Sequence, residues 1–295
     1  MAKESSAFCP GHVTAFFEPV EHADPFRKGS RGAGLSLTLG VKSRVKARLG
    51  RRQNVRIYLN RQEIPAVATR LAVERAIGGA AFEIIVQSDV QLPVSQGFGM
   101  SAAGALSAVL AVNDACDLGL PHTRCVAIAH AAEIEAKTGL GDVVPASLGG
   151  MDLRIEPGAP PHGVVKRIHA DSEVLLAVMG APIPTRTVLS DAARVKSIAE
   201  IGKRCVLEFQ KSQTMPDLFR LGREFAIGTR LAEGKVKEAI EAATPYGPCT
   251  MAMLGNSVFA VGQLEPLDAL FKGMGAQRYR CRIDQKGARL LTSPA

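Results

Sequence analysis

The sequence has no tryptophan and only three tyrosines among its 295 residues. Aromatic side chains are the usual stacking platform for single-stranded nucleic acid, so few such platforms exist here. There is no run of about 18 apolar residues, the length a bilayer-spanning helix needs. Residues 1–6, M-A-K-E-S-S, lack the continuous apolar region of a signal peptide. A soluble, cytoplasmic protein with no membrane partner is expected. The six cysteines, Cys9, Cys116, Cys125, Cys205, Cys249 and Cys281, form no C-x-x-C pair. Their scatter argues against a zinc site or a disulfide framework and predicts reduced, mostly buried thiols. No internal repeat or low-complexity tract interrupts the chain.

Positive charge and glycine are plentiful, with a formal net charge of +8 and 29 glycines. Lys42, Arg44, Lys46, Arg48, Arg51, Arg52 and Arg56 alternate with Val41, Val45, Leu49 and Ile57, which suggests a hairpin with one wet, basic face. A solvated strand face is the ordinary meaning of that pattern, and RNA binding is a secondary alternative. The length exceeds a usual single core, so one large or two medium domains are expected. Prolines and glycines around residues 156–163 mark a boundary, giving residues 1–160 and 161–295.

Periodicity places a strand at residues 11–17, a polar, glycine-rich turn at 18–31 and a strand at 35–39. A helix over 65–77 ends at Gly78-Gly79. A strand at 82–86 leads into a buried helix over 101–116, then a helix over 121–137 and a loop over 138–145. Beyond the boundary come a strand at 174–179, helices over 188–234 broken near Met215-Pro216, and a helix at 235–243. A strand pair within 250–261, a helix at 267–274 and a strand at 278–283 complete the chain. Strand, helices, two strands, helix, strand is the ferredoxin-like order.

The chemistry concentrates at residues 93–104, P-V-S-Q-G-F-G-M-S-A-A-G. Gly97 and Gly99 allow a close backbone approach, and Ser101 and Ala102 open a helix whose free amides favour an anion. A glycine loop before a helix is also an ordinary turn, so other residues must decide. Ser101 and Glu133 supply hard oxygen ligands suited to magnesium. Asp142, in a glycine-rich loop, offers a free carboxylate. An anion cradle, a metal pair and a carboxylate suit phosphoryl transfer from a nucleotide to an alcohol. The turn D-P-F-R-K-G-S-R-G-A-G carries Arg27, Lys28, Ser30 and Arg31, which could close on a carboxylate or phosphate or form a solvated surface turn.

These stretches resemble the GHMP kinases, the family of galactokinase, homoserine kinase, mevalonate kinase and phosphomevalonate kinase. The family's P-x-x-x-G-L-G-S-S-A-A motif is similar to residues 93–103. Its first motif is similar to Pro10-Gly11, and its magnesium glutamate and catalytic aspartate match Glu133 and Asp142. Its glycine-rich third motif is matched weakly by M-L-G-N-S at 253–257. More narrowly, C-P-G-H, D-P-x-R-K-G-S-R-G-A-G and T-G-L-G-D-V-V resemble the archaeal pantoate kinases.

The resemblance implies an α+β, two-domain fold: an N-terminal ribosomal protein S5 domain 2-like half and a C-terminal ferredoxin-like half. It implies ATP-dependent phosphorylation of the primary hydroxyl of (R)-pantoate to 4-phosphopantoate in coenzyme A biosynthesis, with ATP and Mg2+ as cofactors. Nucleotide binding then falls to Pro93, Ser95, Gly97, Phe98, Gly99, Met100, Ser101, Ala102 and Ala103, and the metal to Ser101 and Glu133. Asp142 is the catalytic candidate. His12 stands where some members have lysine, either in an electrostatic catalytic role or as a hydrogen-bonded structural histidine. Met100 replaces the family's first serine. The substrate carboxylate calls for a cation, and Arg27, Lys28, Arg31 and Arg186, beside Ser30, are the candidates. A mevalonate-, homoserine- or shikimate-like acceptor is the alternative. An exposed sheet edge would allow a homodimer, and no residue pattern locates one.

Overall fold

A computed structural model describes residues 2–182 and 192–292. Its first sheet is organised on two long strands, β1 (Lys3–Val20) and β2 (Gly29–Leu49), paired antiparallel along almost their whole length. Both extend well beyond the strands expected from alternation. Most of β1, and the first part of β2, are covered on both faces, so they read as continuous small and apolar residues rather than as an alternating pattern. Only the far part of β2 alternates cleanly, with Lys42, Arg44, Lys46 and Arg48 exposed and Val41, Ser43, Val45 and Ala47 buried.

The expected basic hairpin does not form. The next strand, β3 (Asn54–Leu59), is separated from β2 by β5 (Phe82–Val90), which runs antiparallel to β2 and parallel to β3. Parallel neighbours need a crossover, and α1 (Val67–Ile77) supplies it. A short β4 (Gln62–Glu63) closes that edge. The basic face is partly neutralised, because Lys46 pairs with Glu4 at 2.8 Å and Arg56 with Glu63 at 2.7 Å.

Two helices, α2 (Met100–Ala115) and α3 (His122–Ala136), cover the sheet, and a short α4 (Val143–Leu148) begins inside the expected loop over 138–145. Helix α2 packs on β1 and β2, with Ala103, Ala105, Leu106, Ala108 and Val109 fully buried. Its alanines let the backbones approach closely, and each large buried aliphatic side chain contributes about 1.5–3 kcal/mol. The helix is therefore a rigid support for whatever its N-terminus faces. β6 (Met151–Glu156) pairs with β2, and β7 (Val164–Ile168), which lies beyond residue 160, pairs with β6 in the same sheet. Near the chain end, β12 (Arg289–Leu290) adds to β1.

The second sheet contains β8 (Glu173–Val178), β9 (Cys249–Met251), β10 (Ser257–Ala260) and β11 (Gln277–Arg282) in the order β11-β8-β10-β9. This 4-1-3-2 arrangement is the ferredoxin-like plan. Its helices are α5 (Ala192–Ser212), α6 (Met215–Gly228), α7 (Gly234–Ala243) and α8 (Leu264–Gly273). The break between α5 and α6 has a local cause: the Thr214 hydroxyl accepts from the Asp217 amide at 3.3 Å and Pro216 sits in the first turn. Phe209 and Phe225 of these helices meet Phe16 and Phe17 of β1 at ring-centre distances of 5.6 and 5.5 Å. All six cysteines are free, and five are buried. Among the described residues, no helix is long and apolar enough to cross a membrane.

Candidate active site

The chain leaves β5 and turns through Gly97 (φ 76°) and Gly99 (φ 68°) into α2. A Cβ on Gly97 would overlap the Ala252 carbonyl as well as straining the backbone. The first amides of α2 have no helical acceptor and open onto a cleft of about 490 Å³. At the floor of this cleft the Ser101 hydroxyl donates to Glu133 Oε1 at 2.5 Å, and the Thr138 hydroxyl donates to the same oxygen at 2.7 Å.

Glu133 is 3% exposed. Burial pushes its carboxyl up to about 7, against the two hydroxyl donors and with help from the charge of Asp142. Among the described residues no basic side chain contributes to offsetting it. A buried, uncompensated carboxylate beside a hydroxyl fits a small divalent cation that takes few protein ligands and completes its shell with water and phosphate. Among the described residues no group of three or more His, Cys, Asp or Glu side chains converges as a closed metal cage.

A second cavity of about 50 Å³ is lined by Thr14, Phe17, Ser30, Thr138, Gly139, Leu140, Gly141, Asp142, Met253 and Leu254. Thr138, Asp142, Met253 and Leu254 line both cavities, so Asp142 stands where they meet. Its Oδ1 accepts from the Thr14 hydroxyl at 3.2 Å and lies 2.9 Å from His12 Nδ1. His12 Nε2 lies 2.7 Å from Asp152 Oδ1. Arg154 donates to the Thr14 hydroxyl at 3.1 Å and stands 4.0 Å from Asp142 and 3.8 Å from Asp152. Burial works against a charged Asp142, but the His12 bond and the Arg154 charge outweigh it and hold the carboxyl below its usual range. Burial likewise opposes a charged His12, and the two aspartates override it and raise the imidazole.

Residues 41–150 match the GHMP kinases N terminal domain. The pantoate kinase of Thermococcus kodakarensis is 33% identical, over 86% of this chain and 86% of its own. That of Methanospirillum hungatei is 32% identical, over 88% of this chain and 87% of its own. The chain belongs to the GHMP kinase family. A solved phosphotransferase related to the CoA biosynthesis pathway superposes on this GHMP kinase with a TM-score of 0.88 at 30% identity, covering 97% of this chain and 98% of that one. A homoserine kinase from Cytophaga hutchinsonii shares the fold, with a TM-score of 0.71 at 16% identity over 98% of both chains.

Residues 253–257, the weak sequence match to the family's third motif, pack directly on the glycine loop that opens α2. Met253 and Leu254 line both cavities, and the Ser257 hydroxyl donates to the Gln96 carbonyl at 2.5 Å. Ser95, Gly97, Phe98, Gly99, Met100, Ser101 and Ala102 line the larger cleft, whereas Ala103 is fully buried behind it and Pro93 is half-buried outside the lining. Of the acceptor-side candidates, Ser30 lines the small cavity. Arg27, Lys28 and Arg31 do not, and face Asp24 at 3.9 Å, Glu21 at 2.7 Å and Glu18 at 3.6 Å respectively. Arg186 lies outside the described residues.

The sequence pattern does not single out Thr14, Asp152 or Arg154. Each alternates with apolar neighbours along a strand, which ordinarily marks a solvated face, yet they are 5%, 1% and 2% exposed. The available signal was the spacing of His12 and Thr14, two residues apart and therefore on one face of β1.

Proposed function

We propose that this kinase transfers the terminal phosphoryl group of ATP to the primary hydroxyl of (R)-pantoate, giving 4-phosphopantoate for coenzyme A biosynthesis. The observation that carries the acceptor is the likeness to three pantoate kinases at 30–33% identity over 86–88% of the chain. The meeting of two cavities at Asp142 supports the reaction type.

In this reading the amides of residues 97–102 receive the ATP phosphates, and the larger cleft takes the nucleotide. Ser101 and Glu133 would hold magnesium, which supplies neutralisation of charge on the phosphate oxygens. Ser30 lies on the pantoate side, with Arg27, Lys28, Arg31 and Arg186 the cations considered for its carboxylate. Asp142 accepts a hydrogen bond from the acceptor hydroxyl and aligns its oxygen with the phosphorus. The new oxygen–phosphorus bond forms as the bond to the bridging oxygen of ADP breaks, and the hydroxyl proton passes to Asp142. In a loose transition state that proton moves late, so a carboxylate held below its usual range can serve. Dependence on ATP supports a cytoplasmic setting.

The test is ADP release with magnesium ATP against pantoate, mevalonate, homoserine and shikimate, with the product identified by mass. Turnover on pantoate is expected. Turnover on mevalonate or homoserine but not pantoate would overturn the acceptor, and steeply salt-dependent RNA binding without ATP turnover would overturn the enzyme itself.

A further inference from the structure

Both ring nitrogens of His12 face carboxylates, Nδ1 at 2.9 Å from Asp142 and Nε2 at 2.7 Å from Asp152. A neutral imidazole has one N–H and would turn the lone pair of its other nitrogen toward an anion. The arrangement therefore needs either an imidazolium between two carboxylates or a neutral ring beside a protonated aspartic acid. Charge decides between them. Arg154, 4.0 Å from one carboxylate and 3.8 Å from the other, brings a second positive charge to the pair, and the four groups sum to zero when the ring is charged. Around the same ring β2 contributes Gly34, and the glycine loop contributes Gly99 and the Phe98 carbonyl, which accepts from the His12 amide. The His12 side chain is fully buried and that of Asp152 is 2% exposed, so water does not compete for these bonds.

Asp152 lines neither cavity and so is not in contact with either reactant site. We infer that Asp152 is a positioning residue: it keeps His12 protonated on both ring nitrogens, and His12 thereby holds Asp142 Oδ1 while Oδ2 is left for the acceptor hydroxyl. The inference rests on the proposed meeting of Asp142 with that hydroxyl. The hydrogen bonds of Asp142 with His12 and Thr14 both use Oδ1, in keeping with that division.

The sign of the pH dependence follows. Removing the negative charge of Asp152 makes His12 lose its second proton at lower pH, and Asp142 then loses its charged donor. The experiment measures kcat between about pH 5.5 and 10 for the wild type, Asp152→Asn and Asp152→Glu. The alkaline limb should move to lower pH by about one unit or more in Asp152→Asn, and return toward the wild-type position in Asp152→Glu. Above both limbs, that shift is about a tenfold loss of kcat per unit. The KM for ATP should change less than about twofold, because Asp152 does not touch the glycine loop.

A lower kcat with the alkaline limb unmoved would reduce Asp152 to a merely structural role and overturn the inference. A second measurement needs neither substrate nor variant turnover: nitrogen-edited NMR of the wild type, with His12 assigned through His12→Gln. Two ring N–H signals from His12 at pH 7 support the inference, and one overturns it. This readout holds even if pantoate proves not to be the acceptor, or if Asp152→Asn fails to fold.

Discussion

Gly255 lies directly on Gln96, so closely that a Cβ at Gly255 would overlap the Gln96 carbonyl. Two residues on, the Ser257 hydroxyl donates to that same carbonyl at 2.5 Å, and the Gln96 side chain donates to the Gly180 carbonyl at 2.9 Å. The glycine loop that opens α2 is thus held from below by its own helix and from the side by the second sheet. Its shape depends on residues more than 150 positions away.

Gly255→Ala follows directly from that contact. The new methyl has backbone on its near side, which cannot rotate away, so the loop itself must move. Overpacking of this kind costs about 1–3 kcal/mol. Expressed at the nucleotide site, about 1.4 kcal/mol is tenfold in affinity. The KM for ATP should rise about tenfold and the Tm should fall. A variant with wild-type KM and Tm would show that the contact is dispensable.

Asp142→Asn keeps the shape of the side chain and removes its charge. His12 and Thr14 can still donate to the amide oxygen, but the acceptor hydroxyl loses its anionic partner. Turnover should fall by about 10²- to 10⁴-fold while ATP binding holds. Near-normal turnover would remove Asp142 from the reaction.

Glu133 links function to stability. Its carboxyl is raised from 4.5 to about 7 by burial. A group raised in the folded state contributes stability that is fully present below its unfolded value and is lost as pH rises through the folded value. Over that window the loss is at most about 3–4 kcal/mol. In magnesium-free buffer at pH 8, Glu133→Gln should therefore melt above the wild type, while requiring about tenfold more magnesium for activity. A wild type as stable as the variant at pH 8, or an unchanged magnesium titration, would contradict this account.

The strand and helix order of the second sheet, and the glycine turn that leads into α2, were legible in the sequence, because capping residues, glycines and helical periodicity are local signals. The pairing of β3 was not legible. Alternation reports which residues are wet, not which strand lies alongside, and β5, about thirty residues later, takes the place next to β2. Asp152 and Arg154 were hidden for a related reason. A charged residue alternating with Met151 and Leu153 looks solvated until both faces of the strand are known to be covered.

Met100, which replaces the family's serine, has a packing explanation. It is 5% exposed, and its terminal methyl occupies the space over Gly11: a Cβ built on Gly11 would come within 2.7 Å of Met100 Cε. Met100→Ser would restore a hydroxyl near the phosphates but leave a void over Gly11 and bury a polar group. Truncating a buried methionine to alanine costs about 2–5 kcal/mol, and an unsatisfied hydroxyl adds to it. The variant should melt several degrees lower without gaining more than about twofold in ATP affinity. Adding Gly11→Ala should not repair it, because the new methyl also meets the Leu39 and Phe98 carbonyls at 2.9 and 3.0 Å. Those are backbone atoms that Met100→Ser leaves in place, so the double variant should remain below the wild type in thermal melts. A double variant as stable as the wild type would mean that Met100 alone excludes a side chain at Gly11.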